Sequence, residues 1–272
     1  MKNENRRKKK NTLLDKVMKA ITWMLIAIII ISAFNIGKEI YKYYKARTAY
    51  KNIEKTAQVD PDTFTGVVDF DSLKSQNEDV CAWIYQKDTP INYPVLKGDD
   101  NSKYLHTLID GTWAVSGSLF VDYRNADDFA DFNSIIYGHH MHDGSMFKSL
   151  RGYTKEDGYY KKHKKFELIT PEKKYHLLVF SSYIIKADDE YAYMMKAETD
   201  SEKQNFIDIA KSRSEINTTV DVSTRDKMVT LSTCAYDFKN ARYIVVCKMV
   251  PWTQKEIKAG ERQQAIIDRQ NS

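Results

Sequence analysis

Cysteine, proline and glycine are all scarce in this chain of 272 residues, which holds 3 Cys, 5 Pro and 10 Gly. So little glycine and proline excludes a collagen-like or low-complexity protein. A hydrophobic share of 42% excludes a wholly disordered one. Three cysteines are too few for a disulfide scaffold, and the odd count leaves at least one thiol without an intramolecular partner. No internal repeat, C-x-x-C pair or H-x-x-x-H helix is present to announce a metal. Beyond the N-terminus, an excess of either charge is lacking too. The net charge of +5 comes from residues 1–19, where eight Lys and Arg face two acids, and the remainder is close to neutral. A folded face of spread positive charge is therefore missing, which argues against nucleic-acid binding.

The basic arm is followed by Ala20–Gly37 (AITWMLIAIIIISAFNIG), an uncharged run rich in isoleucine. As a helix at ~1.5 Å per residue it spans roughly 27 Å, close to a ~30 Å hydrocarbon core. A helix satisfies its own backbone in lipid. The run is long for a cleaved signal, and no A-x-A site follows it. Lysine and arginine cluster before it, so the positive-inside rule places the N-terminus in the cytoplasm and residues 38–272 outside. The expected plan is a cytoplasmic arm (1–19), a single membrane anchor in contact with lipid (20–37), a helical stalk with N-terminal helices (38–80), a β-rich body (81–252) and a polar tail (253–272), helical in part.

In the stalk, Ile40, Tyr44, Arg47, Tyr50 and Ile53 recur at helical spacing. Asp60-Pro61-Asp62 ends it, and Asp71 or Ser72 can cap a short helix over Leu73 to Asp79. From Trp83 onward, short runs of β-formers alternate with turns. They are Trp83–Tyr85, Ile91–Leu96, Ser118–Asp122, Ser134–Tyr137, Phe166–Thr170, Tyr175–Ser182, Val220–Val222, Met228–Thr233 and Tyr243–Met249. The runs FELIT and YHLLVFSS, joined by Pro171-Glu172-Lys173-Lys174, read as a hairpin. Residues 200–216 instead carry helical periodicity, with Asp200 or Ser201 as cap. Many short strands with one inserted helix indicate a closed or nearly closed β-barrel.

Two fragments carry candidate chemistry. In Thr230-Leu231-Ser232-Thr233-Cys234, alternation puts Thr230, Ser232 and Cys234 on one face. Cys234 then stands at a strand end before the loop 235–240, and Arg242 opens the returning strand. That hairpin can bring a guanidinium to a thiol, while the alternative is a packed cysteine beside a surface arginine. Cys247 among valines and Cys81 beside Trp83 read as structural. The second fragment, Tyr137-Gly138-His139-His140-Met141-His142-Asp143, delivers histidines from a strand end. Three readings stand: solvated loop histidines, a metal site on His139, His140 and His142, or a single reactive histidine. His139 is favoured for the last because Gly138 lets the backbone turn tightly. A thiol, an imidazole and a permanently charged guanidinium together suit acyl transfer: thiolate nucleophile, proton donor to the leaving amine, and oxyanion partner.

These residues resemble a sortase. The T-L-x-T-C motif stands as Thr230–Cys234, the Y-G-H element as Tyr137-Gly138-His139, and Arg242 follows. The finer pattern is similar to class B sortases: Ile91-Asn92-Tyr93-Pro94-Val95, Asp100-Asn101 followed by Tyr104-Leu105, the run G-S-L-F-V-D-Y-R-N at 117–125, and the late inserted helix. The resemblance covers roughly residues 38–250. It implies a mainly β fold, an eight-stranded sortase-type β-barrel with N-terminal helices and one inserted helix, preceded by a single transmembrane helix. It implies a cysteine transpeptidase that cleaves a C-terminal sorting motif of surface proteins through a thioacyl intermediate and passes them to an amine of peptidoglycan precursor. Carried over by motif, Cys234 is the nucleophile, His139 the general acid/base and Arg242 the oxyanion or substrate clamp. Asn101, Leu105, Tyr191 and Ser232 match groove positions. No cofactor and no metal are implied. Ala235 follows the cysteine where some relatives carry an acid, and His142, Asp143 and the tail have no assigned role. Pilin polymerisation is the variant within the class. A metal-dependent hydrolase on the histidine cluster and a non-enzymatic tethered module are the rivals outside it.

Overall fold

The computed structural model describes residues 2–235 and 237–271, with side chains described over 14–235 and 237–270. The chain divides after Lys45 into two units. The first lies within α1 (Lys2–Thr56), a helix that Gly37 does not interrupt. From Leu14 this helix is long and apolar enough to cross a membrane, its most apolar window reaching a mean hydropathy of 2.3 with none of it buried. Of the basic arm, Lys16 and Lys19 are exposed, whereas the side chains of Lys2 to Lys10 lie outside the described residues.

The second unit holds the last turns of α1 and a closed barrel. Ala46, Tyr50, Ile53 and Ala57 are buried at three- and four-residue spacing, so the packed stripe of the stalk begins at Ala46. Ile40, Tyr44 and Arg47, expected on the same stripe, are instead exposed. The Tyr50 hydroxyl donates to the Gly117 carbonyl, and Asn92 donates to the Glu54 carboxylate at 2.9 Å. After a loop comes α2 (Phe70–Gln76), whose cap is Asp69 and not Asp71 or Ser72. The Asp69 carboxylate takes the Ser72 N–H at 2.9 Å, which starts the helix earlier than the sequence indicated. It also ends earlier, before Asn77, because the Asn77 side chain takes the Asp79 N–H at 3.0 Å.

Eight strands follow: β1 (Val80–Tyr85), β2 (Asn92–Leu96), β3 (Leu119–Val121), β4 (Asn133–Tyr137), β5 (Lys165–Ile169), β6 (Lys174–Lys186), β7 (Lys227–Cys234) and β8 (Ala241–Pro251). They close in the order β1-β2-β3-β4-β7-β8-β6-β5. β2 with β3 and β4 with β7 are parallel, the remaining pairs antiparallel. The expected hairpin is β5–β6, in register from Lys165↔Leu178 to Ile169↔Lys174. Closure removes exposed strand edges, and Trp83, Phe166 and Tyr243 are among the large side chains buried within the folded unit. Two short helices, α3 (Gly152–Lys155) and α4 (Tyr159–Lys162), lie between β4 and β5.

The inserted helix is α5 (Asp200–Arg213). Its cap is Thr199, one residue before the expected Asp200, and Glu202 completes a reciprocal capping box. Phe206, Ile207 and Ala210 pack against Phe180, Tyr183 and Ile244. The run Val220–Val222, read as a strand, is irregular. The Thr218 hydroxyl takes the Val220 N–H at 3.1 Å, and Lys248 donates to the Asp221 carbonyl at 2.9 Å, so side chains replace a strand partner. Val222 nevertheless joins the same core cluster. The tail is α6 (Gln254–Asn271). It is tied to the barrel by Trp252, whose indole N–H donates to Glu167 at 2.8 Å, and by Thr65, which donates to Gln264 at 2.8 Å.

Candidate active site

The parallel pair β4–β7 decides where the chemistry gathers. Tyr137, the last residue of β4, is opposite Ser232 on β7, and the Gly138 N–H continues the ladder to the Ser232 carbonyl at 3.1 Å. Two residues further, the chain after β4 reaches His139 and β7 ends on Cys234. The antiparallel strand β8 sets Arg242 directly opposite Cys234. Three half-buried side chains from three adjacent strands thus reach one cavity of about 500 Å³.

Each is held differently. The Arg242 guanidinium donates to the neighbouring Ala241 carbonyl at 3.0 Å, which among the described residues leaves most of its five N–H groups for a ligand. The His139 Nε2–H donates to the Leu105 carbonyl at 2.7 Å. A carbonyl can only accept, so this bond fixes the proton on Nε2 and leaves Nδ1 as the exchangeable nitrogen. Burial lowers the His139 pKa below the usual histidine value, more than the Leu105 carbonyl raises it. Leu105 closes a 3₁₀ turn (Lys103–Leu105), and that turn rests on Gly117. A Cβ at Gly117 would lie 2.3 Å from the Leu105 oxygen, and the positive φ of +51° there also favours glycine. Gly138 is required for a reason the sequence did not reveal. A Cβ there would lie 2.4 Å from Leu119 and 2.6 Å from Phe147, so close packing, not a left-handed turn, demands the glycine.

The three thiols separate cleanly. Cys81 and Cys247 are buried in the barrel. Burial pushes the Cys81 thiol up to about 12 and raises that of Cys247 as well, so both are held protonated. Cys234 opens onto the cavity.

Asn101, Leu105 and Ser232 line the same cavity. Ser232 bonds the Tyr193 hydroxyl at 2.9 Å. Tyr191 is not among the lining residues. Its ring is 50% exposed, on a turn closed by the Ala192 N–H to the Asp189 carboxylate, and Tyr193 faces inward two residues later. The sequence reading also passed over the fully buried Asp122. Its carboxylate accepts two bonds from Arg124 at 2.9 Å, one from Asn101 at 3.0 Å and one from Tyr137 at 3.0 Å. Burial pushes the Asp122 carboxyl up, but these donors outweigh it and hold the pKa below the usual aspartate value. The alternation in Asp122-Tyr123-Arg124 was the available signal. Asp188, Asp189 and Glu190 form an acidic part of the wall.

The histidine cluster does not converge. His140 lines a separate cavity with Arg151 and Asp237, and His142 is exposed. Asp143 takes the N–H and hydroxyl of Ser145 in a local turn. Among the described residues no group of three His, Cys, Asp or Glu side chains could hold a metal ion. The loop after Cys234 is pinned by a two-bond ion pair between Arg151 and Asp237, while Tyr236 lies outside the described residues.

Residues 85–250 match the Sortase domain family. The chain belongs to the sortase family. It is 36% identical to Sortase B of Staphylococcus aureus over 231 residues, covering 84% of this chain and 94% of that protein. Sortase B of Listeria monocytogenes is 32% identical over 238 residues, covering 85% and 96%. Among solved structures, a Staphylococcus aureus sortase B–substrate complex superimposes with a TM-score of 0.69 at 33% identity, covering 78% of this chain and all of that one. The class B resemblance read from the motifs thus holds across most of the chain, and the protein is a cysteine transpeptidase of the sortase family. Sortases act at the surface of Gram-positive cells on surface proteins that carry sorting motifs, with amines as acceptors.

Proposed function

We propose that Cys234 is the nucleophile of this sortase, His139 its general acid/base and Arg242 its oxyanion clamp. The observation that carries this reading is the convergence of all three on one cavity, with Cys234 and Arg242 paired across β7 and β8. The Cys234 thiolate attacks the carbonyl of the scissile amide, and Arg242 stabilises the oxygen that becomes negative. Protonated His139 gives its Nδ1 proton to the leaving amine as the C–N bond breaks, leaving a thioester on Cys234. The acceptor amine then attacks that thioester and loses a proton to His139, and the sulfur departs. Asn101, Leu105 and Ser232 form the groove for the sorting motif, with Tyr191 at its outer rim. The acceptor is an amine of peptidoglycan precursor. Residues 20–37 anchor the enzyme in the membrane with the N-terminus cytoplasmic, in keeping with the basic residues that precede them.

Full-length enzyme incubated with candidate sorting-motif peptides tests this by intact-protein mass spectrometry and by product assay. A peptide adduct on Cys234 in the wild type, and loss of turnover to background in Cys234→Ala, are the expected results. Undiminished turnover in Cys234→Ala would end the reading.

A further inference from the structure

The 3₁₀ turn that supplies the Leu105 carbonyl also supplies a second imidazole. His106 follows Leu105 directly, and its ring lies parallel to that of His139, with centroids 5.5 Å apart and planes 14° from each other. His106 has partners of its own. Its carbonyl takes the Ala114 N–H at 2.9 Å, Thr107 and Trp113 pair across a one-rung antiparallel bridge, and the Trp113 ring stands 5.9 Å from the His106 ring. Two successive residues therefore grip one imidazole, Leu105 at its edge and His106 on its face.

We propose that His106 is a positioning residue for His139, holding its ring plane and coupling its protonation to the charge at position 106. The proposal rests on the reading of His139 as the acid/base. Its physical basis is plain. Imidazole is the side chain that changes charge between pH 5 and 8. Two such rings at this separation repel when both are charged, so a proton on one disfavours a proton on the other. The direction agrees with the part His106 plays, after burial, in lowering the His139 pKa. The other charges around His139 come from different elements. Cys234 and Arg242 enter from β7 and β8, and Arg124, from the segment after β3, is neutralised by Asp122. Asp188 and Glu190 stand on the wall after β6, where Asp189 is paired with Arg213. Lys103, on the same turn as Leu105, is bound to Asp79. Of these groups only His106 stacks on the His139 ring among the described residues.

The test is an NMR titration of the His139 ring in full-length, histidine-labelled protein in detergent, for wild type, His106→Gln and His106→Arg. At 5.5 Å and water-like screening, one charge moves a neighbouring midpoint by about half a pH unit. The expected result is a His139 midpoint that rises in His106→Gln and falls to or below the wild-type value in His106→Arg, the two variants together spanning about that amount, because one removes the charge at 106 and the other fixes it throughout the titration. In the wild type, the His139 curve is broader than a single-site titration. The acid limb of peptide cleavage moves in the same directions. Identical midpoints in all three proteins, with an unbroadened wild-type curve, would overturn the proposal. Shifted midpoints with an unmoved rate profile would uphold the coupling and count against the acid/base reading of His139, so the two failures are distinguishable.

Discussion

Gly138 shows how little room the site leaves at the level of single residues. Its missing Cβ is where Leu119 and Phe147 already pack, and it immediately precedes His139. Gly138→Ala is therefore expected to lower stability by about 1–3 kcal/mol through overpacking. Peptide cleavage should fall with it, because the strain is relieved by displacing the histidine. Urea unfolding and turnover measured together check this, and an unchanged midpoint with full activity would refute it. Cys234, Ser232 and Arg242 could be brought together from the sequence because alternation and a tight return are local properties of a hairpin. Tyr193 and the Asp122–Arg124 pair could not. The first depends on which way an irregular turn faces, and for the second the alternation in Asp122-Tyr123-Arg124 puts the two on one face but does not announce that the aspartate is buried. The two histidines beyond His139 resolved into separate settings for a similar reason, since a bridge between His140 and Met146 redirects the chain there.

At the scale of elements, the tail helix α6 rests on a titratable clip. His176 on β6 lies between two carboxylates, 2.6 Å from Glu167 and 3.1 Å from Glu256, and its ring stacks on Trp252 at 5.3 Å. A ring that serves both acids must carry both protons. The bond to Glu167 accordingly raises the His176 pKa above its ordinary value, despite burial. A raised folded pKa gives stability that is complete below the unfolded histidine value of ~6.5 and lost as pH climbs through the folded one. The wild type should thus melt at a lower temperature at pH 8.5 than at pH 6, with Trp252 contributing to the fluorescence change. His176→Gln should flatten that dependence, and an unaltered pH slope in the variant would refute the assignment. Helices α2 and α5 were legible in the sequence, but their caps lay one to three residues earlier than read. Asp, Ser and Thr crowd each start, and the preference for these residue types does not say which oxygen wins the N–H. The hairpin β5–β6 was legible because both its strands and its turn are contiguous. Val220–Val222 was not, because β-forming residues need a partner strand that sequence alone cannot promise.

Across the whole molecule, strand order was the least legible property. Composition and punctuation announced a barrel, but the two parallel neighbours, β2–β3 and β4–β7, join segments distant in sequence, and nothing local encodes them. The other long-range dependence is on the end of α1. A fragment starting at residue 46 keeps Tyr50 and Ile53 in place, whereas one starting at residue 58 loses both, along with the bond to Gly117. At about 1.5–3 kcal/mol for each buried side chain, and a few degrees per kcal/mol for a domain of this size, the shorter fragment should melt about 10 °C lower. Equal melting temperatures in a calorimeter would refute that. The same topology orders events in time. The β7–β8 hairpin is local and can pair the sulfur with its guanidinium early, but the imidazole arrives only when the distant strand β4 docks alongside, a kind of contact that closes slowly. A half-made barrel that lacks this pairing holds residue 234 opposite residue 242 without residue 139 beside them, so the cavity is complete only once a long-range contact has closed.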